Sequence, residues 1–355
     1  GKTISEKTSQ KLDYINKLID AKFLNKVNES DLEDGIYKGL LEGLNDPYSV
    51  YYTAEEYRKM MEQTSGTYSG IGALVSQNAE TGIITVVKAF ADAPAAKAGV
   101  KNGDIIYKVK GKEVTGVDIN NVVTEMKGEK GTTVDITVYR ESEKKYIDFT
   151  ITRDQVNEPT VEYKMLDKKK KIGYIQISQF EEVTYDQFTK ALDDLKKQGM
   201  KAVIFDVRSN PGGLYETVCK MLDEILPEGN LVSTKDKYGN EEKQTSDSKC
   251  LDMPMVVLQN KDSASASEIF AGAIQDFNAG KIVGTQSFGK GIVQTILPLS
   301  DGSAVKLTVQ DYYTPSGKNI HGKGITPDVE VELEENATSD TQLEKAKETI
   351  MELMK

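Results

Sequence analysis

Apolar segments alternate with helix-length segments between residues 156 and 335, and this alternation constrains the fold more than any other feature of the chain. Segments 202–207 and 253–259 are largely apolar, and each precedes a segment with helical spacing. Parallel strands buried on both faces have this composition and require helical crossovers. The pattern predicts a largely parallel α/β layer, with strands at 171–177, 202–207, 253–259, 281–284, 292–298 and 304–312 and helices at 185–198, from after Gly213 to about 226, and at 265–277.

The N-terminal region, residues 5–63, has the pattern of amphipathic helices. Leu12, Ile15 and Leu18 share one helical face, and a second helix ends at the breaker Asn45-Asp46-Pro47. Ser30 and Glu33 have capping-box spacing before that second helix. We expect these helices, and a last helix over 342–354, to pack on the rest of the chain or on a second copy.

Residues 64–155 carry short alternating strands separated by Gly and Asp turns, predicted at 83–87, 105–109, 134–139 and 146–151. A short helix over 91–98 ends at Gly99, a residue type typical of the position after a helix. We place the boundaries of the regions at 1–65, 66–155, 156–335 and 336–355.

Composition narrows the possible partners and the compartment. The net charge of −11 disfavours nucleic acid, which is bound through clustered cations. The chain begins at Gly1-Lys2 without Met, so we expect that an N-terminal signal or membrane anchor has been removed. Cys219 and Cys250 lack metal-binding spacing; one disulfide or none is possible, and Cys219 lies in an apolar helical pattern typical of a core residue.

The candidate chemistry begins with three serines, Ser263, Ser265 and Ser267, between an apolar strand and a helix. A helix N-terminus offers free N–H groups and a positive dipole end, which stabilise an alkoxide. The N–H of Ala266 can also donate to the oxyanion of a tetrahedral intermediate. Helix chemistry alone does not choose between Ser265 and Ser267 as the nucleophile.

A base for this serine is predicted at Lys290. The only histidine, His321, lies in a polar glycine-containing loop, where we expect no catalytic role. A neutral, desolvated lysine can take a serine proton, and Ser-Lys pairs are a known variant of the catalytic triad. Gln294 would share a strand face with Lys290 if this stretch is extended, so it could orient the amine.

The segment from Asp206 to Gly213 runs from an apolar strand into a Gly-rich turn. Gly212 or Gly213 could aim a backbone N–H at the same point as Ala266. These glycines are therefore candidates for a second oxyanion donor.

Residues 66–155 resemble a PDZ domain through Ser69-Gly70-Ile71-Gly72-Ala73, through the helix ending in Ala98-Gly99-Val100, and through Asn102-Gly103-Asp104 with the strand that follows. A Gly-rich turn leading into an edge strand can hold a peptide carboxylate on its N–H groups and add the peptide as a strand. The resemblance implies that Ser69, Gly70, Ile71, Gly72 and Ala73 bind peptide.

The whole chain resembles the C-terminal processing peptidases, or tail-specific proteases. The motifs that carry the resemblance occur in order: Gly43-Leu44-Asn45-Asp46-Pro47-Tyr48-Ser49, Arg208-Ser209-Asn210-Pro211-Gly212-Gly213, the Ser-Ala repeat before Glu268, Gly289-Lys290-Gly291-Ile292-Val293-Gln294 and Thr314-Pro315-Ser316-Gly317. The resemblance implies the nucleophile Ser265, the base Lys290, its partner Gln294, and oxyanion donors at Ala266 and at Gly212 or Gly213.

The same resemblance implies a crotonase-like α/β protease core with an inserted PDZ domain and N- and C-terminal helices. It further implies a homodimer, an extracytoplasmic location, protein substrates with apolar C-terminal tails, and no metal or organic cofactor. The alternative hypothesis is a non-catalytic PDZ adaptor that captures protein tails. Acyl-CoA chemistry, suggested by the core fold alone, would leave the Ser-Lys pair unexplained.

Overall fold

The computed structural model describes residues 3–355 and divides them into two compact units. The first unit contains residues 3–57 and 294–308, and the second contains residues 58–293 and 309–355. The helices are α1 (Glu6–Lys22), α2 (Glu29–Glu42), α3 (Ala54–Ser65), α4 (Pro94–Ala98), α5 (Ile119–Met126), α6 (Thr184–Lys197), α7 (Tyr215–Ile225), α8 (Ala266–Asp276) and α9 (Thr341–Leu353).

The strands follow the predicted alternation, with additional hairpins. They are β1 (Val50–Tyr52), β2 (Thr67–Gly70), β3 (Ala73–Gln77), β4 (Ile84–Ala89), β5 (Ile105–Val109), β6 (Lys112–Glu113), β7 (Thr133–Arg140), β8 (Lys145–Thr152), β9 (Asp154–Asn157), β10 (Val161–Asp167), β11 (Ile172–Ile177), β12 (Ala202–Asp206), β13 (Gly229–Asp236), β14 (Glu241–Ser246), β15 (Met255–Gln259), β16 (Gly280–Gly284), β17 (Ile292–Pro298), β18 (Ala304–Tyr313) and β19 (Val329–Glu330).

In the first unit, two N-terminal helices accompany a small antiparallel ladder in which β1 pairs with residues 304–306 of β18. None of the described residues of α1 or α2 is buried. Their apolar side chains, including Leu12, Ile15 and Leu18, are exposed. The predicted apolar face on α1 is therefore present, and it is uncovered in the single chain.

The predicted capping box of Ser30 and Glu33 is wrong. The cap of α2 is Asn28, whose Oδ1 accepts the N–H of Ser30 at 3.2 Å. Glu33 instead accepts a hydrogen bond from the Tyr37 hydroxyl. Asn28 is a strong N-cap residue type, and it starts the helix two residues earlier than a Ser30 cap allows.

A six-stranded sheet in the order β10-β11-β12-β15-β16-β19 forms the centre of the second unit. All its pairings from β11 to β19 are parallel, and β10 is antiparallel, which confirms the parallel layer for the strands predicted at 171–177, 202–207, 253–259 and 281–284. The strands predicted at 292–298 and 304–312 are not part of this layer: β17 pairs with β18, and β18 pairs antiparallel with β1 and β13 in a separate sheet. Along β12, Phe205 packs with Phe188 of α6 and Phe270 of α8, whereas Ile204 lies in the cluster that includes Ile350 of α9. Alternate side chains thus reach opposite faces of the sheet.

The C-terminal helix α9 covers one face of this sheet with Ala346 and Ile350. Its predicted packing with the N-terminal region stays a prediction. Cys219 is buried in α7 as expected, and both Cys219 and the exposed Cys250 are free thiols. None of the helices in the described part of the chain combines the length and apolar character that crossing a bilayer requires.

The second unit also contains an antiparallel sheet in the order β3-β4-β5-β7-β8, with β3 at one edge. The four strands predicted for residues 64–155 correspond to β4, β5, β7 and β8. The short helix α4 ends at Gly99, whose φ of 105° requires a residue without a Cβ. The sequence patterns did not predict α5, β3, or the hairpin of β13 and β14.

Glu181 is a buried carboxyl group beside the two chain segments that lead into and out of the β3–β8 sheet. Its side chain is 5% exposed, and no described residue donates a hydrogen bond to its Oε2. A Cβ at Gly66 would lie 2.4 Å from this oxygen, and Gly66 O accepts the N–H of Glu158. Burial, together with the nearby charge of Glu158, raises the pKa of Glu181 to about 7.

We predict that Glu181→Gln changes the pH dependence of stability. Between about pH 4.5 and pH 7 the folded chain binds more protons here than the unfolded chain does, so this carboxyl lowers the stability of the native protein as pH rises. The variant should be more stable than the native sequence by about 1–3 kcal/mol at about pH 8 and equally stable below about pH 4.5. Urea unfolding at both pH values measures this.

Glu182→Gln, at the exposed neighbouring position, is the matched control and should leave the pH dependence unchanged. A constant stability difference between Glu181→Gln and the native sequence across this pH range would contradict the prediction.

Candidate active site

The three serines before α8 differ in what their hydroxyl groups do. Ser263 donates to Val207 O and Ser267 donates to Asn210 O, each at 2.8 Å, and both side chains are buried. Ser265 is partly exposed and has φ 53° and ψ −111°. A positive φ at a non-glycine residue costs on the order of 1–3 kcal/mol, and such strain is concentrated at functional sites.

The buried carboxylate of Glu268 connects the Ser265 turn to the Lys290 segment. One oxygen, Oε2, accepts the backbone N–H of Ser265 at 2.8 Å and that of Lys290 at 2.9 Å. The other, Oε1, accepts the Ser287 hydroxyl and the Gly289 N–H, both at 2.6 Å. The structure thereby brings the backbones of Ser265 and Lys290 to a single oxygen atom.

Glu268 is a residue whose role the sequence reasoning missed. It lies three positions after Ser265, which is the spacing of a capping box, and this spacing could have identified it. The bonds to Ser287, Gly289 and Lys290 have no local signal, because those residues are about 20 positions away.

Tyr312 covers the same carboxylate. Its hydroxyl donates to Ser265 O at 3.3 Å, and its side chain is fully buried. Burial raises the pKa of the Tyr312 phenol well above its usual range, and the charge of Glu268 raises it further. The phenol therefore stays neutral and remains a hydrogen-bond donor to the serine turn.

Lys290 is half-buried between two glycines that allow another segment to approach closely. A Cβ at Gly291 would lie 2.6 Å from His321 N, and one at Gly289 would lie 3.0 Å from Lys323 N. His321 accepts the Gly291 N–H on its Nδ1 at 3.2 Å, from an exposed loop position. His321 thus supports the backbone beside Lys290, and the sequence had placed it in a loop.

The two glycines proposed as oxyanion donors are not equivalent. Gly212 donates its N–H to Asn210 Oδ1 at 2.9 Å, whereas no described residue accepts the N–H of Gly213 or of Ala266. A Cβ on Gly212 would lie 3.1 Å from Ala266 N, so the turn lies directly against the start of α8. Of the two alternatives, Gly213 is the one with an available N–H.

Asn210 holds this turn against the serine loop. It is fully buried, its side-chain NH2 group donates to Ile177 O at 2.9 Å, and its backbone carbonyl accepts the Ala264 N–H at 3.0 Å and the Ser267 hydroxyl. Both ends of the side-chain amide and the backbone carbonyl therefore help to set the position of the turn.

Arg208 connects the same turn to Asp340, the residue that precedes α9. Its guanidinium contacts Asp206 at 2.7 Å and binds both carboxylate oxygens of Asp340 at 2.8 Å. Asp340 also caps α9 by accepting the Leu343 N–H. Bidentate pairs of this kind fix orientation as well as distance.

Gln294 belongs to the first unit, where it lies on β17. Its Nε2 donates to Thr308 Oγ1 at 3.2 Å, and Thr308 Oγ1 donates to Asp46 Oδ2 at 2.6 Å. The Ser49 hydroxyl donates to the same carboxylate at 2.6 Å. The Asn45-Asp46-Pro47-Tyr48-Ser49 motif thus positions the strand that carries Gln294.

The predicted peptide-binding segment lies where β2 leads into the edge strand β3. The carbonyls of Ile71 and Gly72 are taken by Ala95 N and Phe90 N, whereas no described residue accepts their N–H groups. Gly72 has φ 77°, and a Cβ there would lie 2.3 Å from that of Ala93. The loop therefore presents two consecutive N–H groups beside an unpaired strand edge.

We predict that Glu268→Gln destabilises the protein by about 2–4 kcal/mol. The amide replaces one acceptor oxygen with an NH2 group that faces two donors, and unsatisfied buried donors are costly. Hydrogen exchange should also become faster at Gly289 and Lys290. Denaturant unfolding and exchange mass spectrometry measure the two effects.

Glu216→Gln, in the first turn of α7, is the matched control because Glu216 is exposed. Equal stability and exchange in Glu268→Gln and this control would show that the carboxylate does not hold the two segments together.

Comparison with known families matches three parts of the chain. The profile of Peptidase family S41 matches residues 171–331, and the PDZ domain profile matches residues 69–151. Residues 2–56 match the profile described as the activating protease CtpB N-terminal domain. The matches follow the order of the regions predicted from the sequence.

Curated relatives resemble most of the chain. It is 38% identical over 326 residues to a probable CtpA-like serine protease of Staphylococcus epidermidis, covering 91% of this chain and 65% of the relative. The chain thus spans slightly less than two thirds of that relative. It is 39% identical over 313 residues to a carboxy-terminal-processing protease of Bartonella bacilliformis, covering 86% of this chain and 70% of the relative.

A solved structure, the photosystem II D1 C-terminal processing protease, is also similar. It is 28% identical to this chain, with a TM-score of 0.54, and the match covers 96% of this chain and 91% of the other. Sequence profiles, relatives and fold agree. The chain belongs to peptidase family S41, the C-terminal processing serine proteases, and contains a PDZ domain.

Proposed function

We propose that this protein is a PDZ-regulated serine endopeptidase that binds the C-terminal tails of protein substrates and cleaves them with Ser265, Lys290 and Gln294. One observation carries the proposal: Glu268 Oε2 accepts the backbone N–H groups of both Ser265 and Lys290. Catalytic residues need supporting hydrogen bonds that fix their relative positions, and the buried Glu268 carboxylate supplies such bonds to both segments.

Ser265 is the nucleophile in this proposal. The two neighbouring serine hydroxyls are buried and already donate to backbone carbonyls, whereas Ser265 is partly exposed on a strained turn. Its Oγ attacks the scissile carbonyl carbon while Lys290 Nζ takes the hydroxyl proton. The Ala266 and Gly213 N–H groups then stabilise the oxyanion of the tetrahedral intermediate.

The second half of the reaction releases the products. When the intermediate collapses, the C–N bond breaks and the Lys290 ammonium gives its proton to the leaving amine. Water then attacks the acyl-enzyme, its proton passes through Lys290 to the serine oxygen, and the carboxylic acid product leaves. Gln294 is assigned as the partner of Lys290 through the family resemblance.

The tail-binding part of the proposal rests on the PDZ domain. The edge strand β3 can accept a peptide as an added strand, and the N–H groups of Ile71 and Gly72 can receive its terminal carboxylate. Capture of the tail in the PDZ domain would couple substrate recognition to cleavage. By PDZ-regulated we mean this coupling.

We predict that Ser265→Ala and Lys290→Ala each reduce cleavage by about a thousandfold or more. The substrate is an unfolded protein ending in Ala-Ala with a free carboxylate, and mass spectrometry identifies the fragments. Lys281→Ala, at an exposed lysine of β16, is the control and should cleave at the native rate.

The assay also separates the alternatives. Undiminished cleavage by both variants would reject the Ser-Lys site. No cleavage by the native sequence, together with retained binding of the tail, would instead support the non-catalytic PDZ adaptor.

We further propose a homodimer formed through the N-terminal helices. Leu12, Ile15 and Leu18 share one face of α1 and are exposed in the single chain, and contiguous exposed apolar surface of this kind often marks an interaction site. A second copy can cover it symmetrically.

The double variant Ile15→Glu/Leu18→Glu is predicted to be monomeric, because two charges would be buried in the interface without partners. Sedimentation velocity compares it with the native sequence and with Lys17→Glu on the same helix. A monomeric native protein, or a double variant that remains dimeric, would reject this interface.

Two remaining proposals follow from the resemblance. An extracytoplasmic location would be tested by fractionating cells that carry the native protein; recovery in the cytoplasm would reject it. A crotonase-like core is supported by the parallel β11-β12-β15-β16 order, and superposition of an experimental structure on a crotonase would test it.

A further inference from the structure

The carboxylate-binding loop of the PDZ domain is covered by the chain's own side chains. The ring of Tyr68 lies over Gly70, because a Cβ at Gly70 would be 3.0 Å from Tyr68 Cε2. Burial raises the pKa of Tyr68 to about 12, so the phenol stays neutral. The ring thus lies against the residue that immediately precedes Ile71 and Gly72.

Lys127, the residue that follows α5, lies against the ring of Tyr68. Its ammonium is 4.8 Å from the centre of the Tyr68 ring, and its Cγ is 3.6 Å from the position of a Cβ at Gly70. The next residue, Gly128, donates its N–H to Ser69 O at 3.3 Å. The backbone at the end of α5 is therefore tied to the loop, and this tie sets where the lysine side chain begins.

The charge partner of Lys127 comes from outside the PDZ domain. Its Nζ is 3.1 Å from Oε1 of Glu62, on α3, and the two side chains are 42% and 30% exposed. Glu62 precedes the PDZ-matching residues 69–151. The carboxylate of Glu62 thus binds the Lys127 ammonium beside the loop of residues 69–73.

We propose that Lys127 recognises the α-carboxylate of the substrate tail and that Glu62 competes with this carboxylate for the Lys127 ammonium. The inference rests on the proposed tail binding and deepens it. Two N–H groups and one cation form a better receptor for a carboxylate than N–H groups alone, because charge-assisted hydrogen bonds are the stronger ones. Arrival of the tail displaces the Tyr68 cover and breaks the contact between α3 and the PDZ domain.

The competition has a specific energetic signature. An exposed ion pair is weak, so removing Glu62 should strengthen tail binding only about two- to fivefold. A carboxylate bound to both the cation and the loop is more strongly held, so removing the charge of Lys127 should weaken binding about tenfold or more. The Glu62 effect must vanish when Lys127 is neutral, since it acts through that charge.

The experiment measures fluorescence anisotropy of labelled peptides ending in Ala-Ala, one with a free carboxylate and one with a C-terminal amide. All variants are made in the full chain with Ser265→Ala, so that cleavage does not interfere. We expect Lys127→Gln to lose about tenfold in affinity for the acid peptide and to show a correspondingly smaller preference for the acid over the amide. Lys127→Arg should keep that preference, and Glu62→Gln should gain affinity about two- to fivefold.

Lys130→Gln is the matched control, because Lys130 is a more exposed lysine of the same domain in an ion pair with Asp154. It should bind both peptides as the parent does. The double variant Glu62→Gln/Lys127→Gln should match Lys127→Gln alone.

An unchanged acid-over-amide preference in Lys127→Gln would overturn the inference, as would a Glu62→Gln gain that persists beside Lys127→Gln. If the parent binds neither peptide, or binds both equally, the proposed tail capture itself fails and the inference fails with it. The parent's behaviour therefore distinguishes the two failures.

Discussion

The geometry of the site depends on one buried anion, the carboxylate of Glu268. A charge inside a protein is tolerated only where donors replace the lost water, and four donors surround this one. Because two of those donors are the backbone N–H groups of Ser265 and Lys290, satisfying the anion also fixes the two segments relative to each other. The backbone of the two segments proposed to be catalytic is thus held in place by the hydrogen bonds that satisfy the carboxylate.

Hydrogen bonds from Asn210 and Arg208 support the strained turn at Ser265 from a second direction. Asn210 uses its whole side chain and its carbonyl to hold the Gly212-Gly213 turn against the start of α8. Arg208 binds that turn to Asp340 at the start of α9, and α9 itself packs on the parallel sheet. A backbone in an unfavourable region persists only where its surroundings over-determine it, and here they do.

The PDZ domain is connected to the core at positions that are sensitive to charge. Glu181 lies uncompensated beside Gly66, where the chain enters the domain, and Glu62 of α3 binds Lys127 at the carboxylate loop. Glu62 is on α3, and Glu181, from the loop after β11, lies against Gly66 just after this helix. Both carboxyl groups thus contact or belong to the stretch of chain that leads into the domain.

The sequence by itself determined the elements that depend on local spacing. The apolar runs of β12 and β15 were predictable because buried parallel strands need continuous apolar residues, and Gly99 marked the end of α4 because only glycine adopts that φ readily. The motifs around Ser265 and Lys290 selected two segments that the structure brings together at Glu268. The N-cap of α2 was mispredicted because Asn28 and Ser30 are both good caps, and their spacing alone does not rank them.

Only the tertiary structure decided which groups remain available for chemistry. The preference for Gly213 over Gly212 depends on a hydrogen bond to Asn210, and the preference for Ser265 over Ser267 depends on a carbonyl that occupies the second hydroxyl. The four donors to Glu268 and the contact between Glu62 and Lys127 join residues that are mostly far apart in the chain. The periodicity of a sequence indicates which face of a helix or strand a side chain occupies. The partner that the side chain contacts on that face depends on how distant segments pack, and this packing determines the geometry of the site.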